Sequence, residues 1–118
     1  MKGDFSLNGY EEIVEGVKIK TLSKDDAMVM SQFVLKKGVC LPLHSHPNVQ
    51  SGYLLKGRIR LFINDEVREL LPGSTWCIQN DLKHWAEVLE DSVAIEVFHP
   101  AKESYSSYEY DVALEENT

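Results

Sequence analysis

Hydrophobic and polar residues alternate along short stretches of this chain, and turn-forming residues separate the stretches. Within Ile13–Leu22, for example, Val17 and Ile19 fall on one face of an extended segment and Lys18 and Lys20 on the other. No helical periodicity longer than a turn or two interrupts this pattern. The alternation therefore predicts a chain built of β-strands.

The turn signals divide the pattern into roughly eight predicted strands at close spacing, which favours an all-β sandwich or barrel. The predicted strands are Ile13–Leu22, Ala27–Leu35, Tyr53–Leu55, Arg58–Ile63, Val67–Leu71, Thr75–Ile78, His84–Leu89 and Val93–Phe98. A length of 118 residues suits one compact domain.

Composition and charge exclude several classes of function. The 19 acidic residues outnumber the 12 basic ones, for a net charge of −7, which argues against a nucleic-acid partner. No apolar window is long enough to predict a membrane-spanning helix, and the first residues lack the apolar run of a signal peptide. With only two cysteines, Cys40 and Cys77, we expect a soluble cytoplasmic protein with reduced thiols.

Three of the four histidines suggest a metal site. His44 and His46 are two residues apart, so in an extended segment both imidazoles point to the same face. Gln50 follows shortly, and His84 begins a later strand that a closed sheet can bring opposite the pair. Imidazole is the commonest protein ligand for Zn, Ni, Fe and Cu. A His-x-His pair also occurs by chance on surface strands, so the pair alone leaves both interpretations open.

The wider spacing resembles the first motif of the cupin family: Gly38, five residues, His44-Ser45-His46, three residues, Gln50, six residues, Gly57. The second motif is only partly kept, since Gly73 and His84 match but Gln79, Asp81 and Val88 replace its Pro, Gly and Asn. The resemblance implies a cupin jelly-roll β-barrel as the single domain of residues 1–118. Its barrel core would span about 28–103, with a polar tail at 104–118.

The resemblance also implies one divalent metal ion, Zn, Ni, Mn or Fe, bound by His44, His46, Gln50 and His84. Gln50 stands where most cupins carry Glu. An amide oxygen brings no charge, so the ion would keep its full charge and act as a strong Lewis acid that attracts anions.

A narrower resemblance points to a sugar-acid substrate. Residues 44–53 and the ending Val97-Phe98-His99-Pro100 are similar to small cupins of pectin and alginate breakdown, which open the ring of a 4,5-unsaturated uronate. Their Asp, Phe and Arg correspond here to Glu96, Phe98 and Lys102. By resemblance, Glu96 would move a proton, Phe98 would wall the sugar, and Lys102 would pair with its carboxylate. The alternative is that Glu96 is a strand residue facing solvent, that Phe98 belongs to the ordinary core, and that Lys102 is a solvated loop charge.

Two other functions stay open at this point. A metal-dependent dioxygenase fits because other cupins with a three-His site activate oxygen, and a non-catalytic sugar-binding cupin fits the same residues. The resemblance further implies a homodimer in which an N-terminal strand crosses to the partner.

Overall fold

A computed structural model describes residues 9–101, and Lys102 and the predicted polar tail lie outside the described residues. The described chain forms eight strands and no helix. The strands are β1 (Glu11–Val14), β2 (Val17–Lys24), β3 (Val29–Leu35), β4 (Cys40–His44), β5 (Val49–Ile63), β6 (Glu66–Leu70), β7 (Thr75–Ile78) and β8 (His84–His99). The predicted all-β architecture is confirmed. Within residues 9–101 the chain has no helix long and apolar enough to cross a membrane.

All strand pairs are antiparallel, and the two long strands organise the barrel. The main path runs β1-β2-β3-β8-β5-β6, while β4 pairs with β8 and β7 pairs with β5. β5 and β8 pair from Val49↔His99 to Ile63↔His84. The first part of β5 and the last part of β8 form one sheet half with β7 and β3. The last part of β5 and the first part of β8 form the other half with β6 and β4.

Several predicted strand boundaries differ from the structure. The predicted strand Ile13–Leu22 is two strands, β1 and β2, joined by a tight turn at Glu15-Gly16. The two runs on either side of Gly57 form one continuous strand, β5, because Gly57 creates a bulge instead of a stop. A Cβ on Gly57 would lie 2.1 Å from the Ser92 hydroxyl oxygen, and its φ is +99°, so this close approach requires glycine.

The core lies between the two sheet halves and consists of the inward-facing residues of the alternating pattern. Its largest fully buried side chains include Phe98, Leu54, Leu70 and Ile78. Polar side chains are also buried, and five of these occur at residues 44, 46, 48, 50 and 84. Buried polar groups need compensating partners or ligands, which directs attention to this end of the barrel.

Candidate metal centre

Three histidines converge at the end of the barrel where β4 finishes and β8 begins. His44 and His84 are cross-strand partners on these two strands, and His46 follows in the loop after β4. One ligand atom from each of the three imidazoles lies within 4.8 Å of the others. All three side chains are buried, with 7%, 3% and 4% exposure for His44, His46 and His84. This spacing allows one ion to contact all three rings.

Backbone carbonyls fix which nitrogen of each ring can bind a metal. Each Nδ1 lies near the carbonyl oxygen two residues away: 2.7 Å from His44 to Pro42, 3.0 Å from His46 to Asn48, and 2.9 Å from His84 to Leu82. A carbonyl oxygen can only accept a hydrogen bond, so each Nδ1 carries the proton and each Nε2 keeps its lone pair. Histidine ligands of metals are oriented by the same type of contact.

Gln50, the second residue of β5, adds an amide oxygen. Its side chain is 4% exposed, and its Nε2 donates a hydrogen bond to Glu96 Oε2 at 2.6 Å. Its Oε1 is buried and accepts no hydrogen bond within the described part of the chain. A buried carbonyl oxygen of this kind is costly unless a ligand compensates it. The donor set of three imidazoles and one amide therefore suits a divalent metal ion.

Glu96 is the carboxylate of the site. It lies on β8, lines the same cavity as His44, Gln50 and His84, and is partly buried. Its Oε2 accepts a second hydrogen bond from Trp76 Nε1 at 2.9 Å. Glu96 is thus close to the amide of Gln50 and faces the barrel interior.

Phe98 and His99 lie on opposite faces at the end of β8. Phe98 is fully buried, and its ring packs edge-on against His46 with centroids 5.9 Å apart. Its position supports the His46 ring. His99 is exposed, and its Nδ1 lies 3.0 Å from the Ala27 carbonyl oxygen, away from the other three histidines.

The barrel interior beside the histidines holds a cavity of about 60 Å³. Its wall is mainly aliphatic and aromatic, and includes Trp76 and Trp85. The polar groups in the wall are His44, His84, Gln50, Glu96 and the two indole nitrogens, and no Lys or Arg of residues 9–101 lines it. A cavity of this size holds a few water molecules or a small ligand group.

Two contacts at the site had no signal in the sequence. Trp76 reaches Glu96 from a different strand, 20 residues earlier in the chain. Asn48 is buried and donates through Nδ2 to the Pro100 backbone carbonyl at 2.5 Å, while the backbone carbonyl of Asn48 accepts from His46 Nδ1. Both contacts join segments distant in sequence, so local patterns cannot reveal them.

A family model and a known protein are similar in sequence to this chain. The family model PCO_ADO matches residues 4–103. The pectin degradation protein KdgF of Dickeya dadantii (strain 3937) is 26% identical over 98 residues, which cover 81% of this chain and 89% of that protein.

Two solved structures share the fold. The structure of KdgF from Halomonas sp. superposes with a TM-score of 0.76 at 24% identity, over 79% of this chain and 88% of that one. An RmlC-like cupin from Shewanella frigidimarina NCIMB 400 gives a TM-score of 0.81 at 21% identity, over 87% of this chain and 94% of that one.

Proposed function

This chain belongs to the PCO_ADO family of cupins, and we propose that it is a metal-binding cupin that opens the ring of an unsaturated uronate or a related sugar acid. The expected cupin jelly roll is confirmed by the antiparallel strands and by the likeness to solved cupins. The proposed ligands of the single divalent ion are His44, His46, Gln50 and His84. The convergence of three imidazoles within 4.8 Å carries this proposal.

The KdgF relative, a pectin degradation protein, supports a uronate as substrate. Opening such a ring is an isomerisation. The bond between C1 and the ring oxygen breaks, and the C1 hydroxyl loses its proton as C1 becomes an aldehyde. The resulting enol at C5 becomes a ketone when C4 gains a proton. The product is a linear keto-deoxy-uronate, and no oxidant or reductant is consumed.

The side chains around the cavity can contribute to separate steps of this reaction. A divalent ion bound by the histidines would supply a Lewis acid that polarises a substrate oxygen. Glu96 faces the cavity, and we assign it the transfer of a proton at the hydroxyl or the enol. Phe98 packs against His46, and we assign it the support of that ring. Lys102 is assigned to the substrate carboxylate by resemblance alone, and it lies outside the described residues.

The proposal is tested in two steps. Elemental analysis of purified protein should find one divalent metal ion per chain, and His84→Ala should lose it. His99→Ala is the matched control, because this histidine is exposed and distant from the cluster, and it should keep the metal. The second step follows the ultraviolet absorbance of the C4=C5 double bond of an unsaturated uronate, which should disappear with wild type and persist with His84→Ala.

Each outcome of these measurements separates the alternatives. Absence of a bound metal in wild type would overturn the metal centre. A bound metal with binding but no consumption of the uronate would favour a non-catalytic sugar-binding cupin.

The composition of the cavity wall favours a second candidate, a metal-dependent dioxygenase. The wall is mostly apolar, and no Lys or Arg of residues 9–101 lines it to pair with a sugar carboxylate. Dioxygen and small apolar substrates are compatible with such a wall. Oxygen consumption on addition of a candidate substrate to the iron-loaded protein would identify this activity, whereas the ring-opening reaction consumes no oxygen.

We also propose a homodimer. Met30, Tyr53 and Leu55 point outward from the sheet half that contains β3, β8 and the first part of β5, with exposures of 37%, 47% and 36%. Exposed apolar side chains grouped on one face are typical of interaction surfaces. Sedimentation analysis should give twice the chain mass for wild type and the monomer mass for Tyr53→Lys.

A further inference from the structure

We propose that Glu96 is a positioning residue that fixes the side-chain amide of Gln50 with its oxygen toward the histidine cluster. This inference rests on the proposed metal centre and extends it. It assigns to Glu96 a role that acts through Gln50 and is separate from any proton transfer to substrate.

The hydrogen bond between the two side chains determines the orientation of the amide. An amide has a donor end and an acceptor end, and its nitrogen can only donate. Glu96 Oε2 lies 2.6 Å from Gln50 Nε2 and also accepts from Trp76 Nε1 at 2.9 Å. An oxygen that accepts from two donors must face the NH₂ end of the amide. Gln50 Oε1 is therefore directed away from Glu96, and it is buried without a hydrogen-bond donor within residues 9–101.

The sheet holds Glu96 in place for this role. Gly52 on β5 pairs with Trp76 on one side and with Glu96 on the other, so the three residues form one row across three strands. Because Gly52 has no side chain, the indole of Trp76 can cross its strand and reach the carboxylate. Gln50 lies in the next row on the same face of β5, beside Glu96.

The pair also explains why residue 50 is Gln in this chain. A carboxylate at position 50 would lie about as close to Glu96 as the amide nitrogen does, at 2.6 Å. Two carboxylates at that distance repel each other strongly. The amide replaces this repulsion with a charge-assisted hydrogen bond. The negative charge of Glu96 thus lies next to the amide nitrogen of Gln50, on the side away from the proposed ligand oxygen, and it polarises that oxygen.

The test is a double-mutant cycle on metal affinity, with Co²⁺ as the probe and a chromogenic chelator as competitor. The variants are Gln50→Ala, Glu96→Ala and the double mutant. Glu87→Ala is the matched control, since Glu87 also lies on β8 but pairs with Arg60 at 3.4 Å on the outer surface. Loss of a residue that orients a metal ligand costs about 10- to 100-fold in affinity.

We expect Glu96→Ala to weaken Co²⁺ binding about 10- to 100-fold in the wild-type background and to have almost no effect in the Gln50→Ala background. Its visible Co²⁺ spectrum should match that of Gln50→Ala, and Glu87→Ala should behave as wild type. Glu96→Gln, which keeps an oxygen acceptor, should recover part of the affinity and serves as the second variant where the alanine protein does not fold.

Equal losses for Glu96→Ala in both backgrounds, or unchanged affinity in the wild-type background, would overturn the positioning role while leaving the metal centre intact. Absence of Co²⁺ binding by wild type would overturn both proposals.

Discussion

Gly52 lies directly beneath the indole of Trp76. A Cβ built on Gly52 would come within 2.2 Å of Trp76 Cε2 and Cζ2, a distance that no packed structure tolerates. Because residue 52 of β5 has no side chain, the Trp76 side chain can extend from β7 across β5 to Glu96. A glycine in a strand marks a close approach of this kind.

We predict that Gly52→Ala displaces the Trp76 indole and breaks its hydrogen bond to Glu96. Overpacking of a buried position costs about 1–3 kcal/mol of unfolding free energy, which urea denaturation measures. Near-ultraviolet circular dichroism should change, because the tryptophan environment changes. Lys56→Ala is the control, since Lys56 is an exposed residue on the same strand. A Gly52→Ala protein with wild-type stability and spectrum would contradict this packing.

Phe98 is a fully buried side chain that packs beside the proposed metal centre. Its ring packs against His46 with centroids 5.9 Å apart and against Phe33 at 6.5 Å. We predict that Phe98→Ala lowers the unfolding free energy by about 3–5 kcal/mol and weakens metal binding because His46 loses its support. Phe98→Leu keeps most of the volume and should lose less of both. Thermal unfolding with and without added Zn²⁺ measures the two effects, and equal metal-induced stabilisation in all three proteins would exclude a role of Phe98 in holding His46.

The common orientation of His44 and His46 followed from local sequence, whereas the strand boundaries followed from it only in part. His44 and His46 are both buried with Ser45 exposed between them, as the two-residue period of an extended chain requires. Gly57 has the sequence signature of a strand end, yet β5 continues through it. Pairing with β8 along the whole strand outweighs the local turn preference, since a glycine can form a bulge without ending the ladder.

The interactions that orient the site were not accessible to sequence reasoning. Gln50 and Glu96 are 46 residues apart in the chain. Their contact depends on the register of β5 against β8, and a shift by one residue would point either side chain to the opposite face. The sequence therefore indicates which residue types are present, whereas the strand register determines which of them meet.

Asp25 stabilises the turn between β2 and β3. Its Oδ1 accepts hydrogen bonds from the backbone nitrogens of Met28 at 2.9 Å and Ala27 at 2.8 Å, and these lower the pKa of the Asp25 carboxyl below its usual value. A group whose pKa is lower in the folded state stabilises the fold above the unfolded pKa, and this contribution is lost as the pH falls through the folded pKa. We predict that wild type exceeds Asp25→Asn in stability by a constant amount above about pH 5 and that the difference shrinks below pH 4. Urea denaturation across this pH range, with Asp26→Asn as the control, measures the difference, and a gap independent of pH would contradict the prediction.

Cys40 gives a chemical probe of the outer surface at β4 and β8. Burial raises the pKa of the Cys40 thiol above its usual value, and the carboxylate of Glu87, its cross-strand partner, raises it further. Only the thiolate reacts with alkylating reagents, so a raised pKa slows the reaction at neutral pH. We predict that Glu87→Gln lowers the pKa of Cys40 and increases its alkylation rate at pH 8 by less than about tenfold, because one pKa unit corresponds to a tenfold change in thiolate.

The measurement uses iodoacetamide and a Cys77→Ser background, so that Cys40 is the single thiol. Glu69→Gln removes a carboxylate on β6 and should leave the rate unchanged. An unchanged rate in Glu87→Gln would show that burial alone raises the pKa of Cys40.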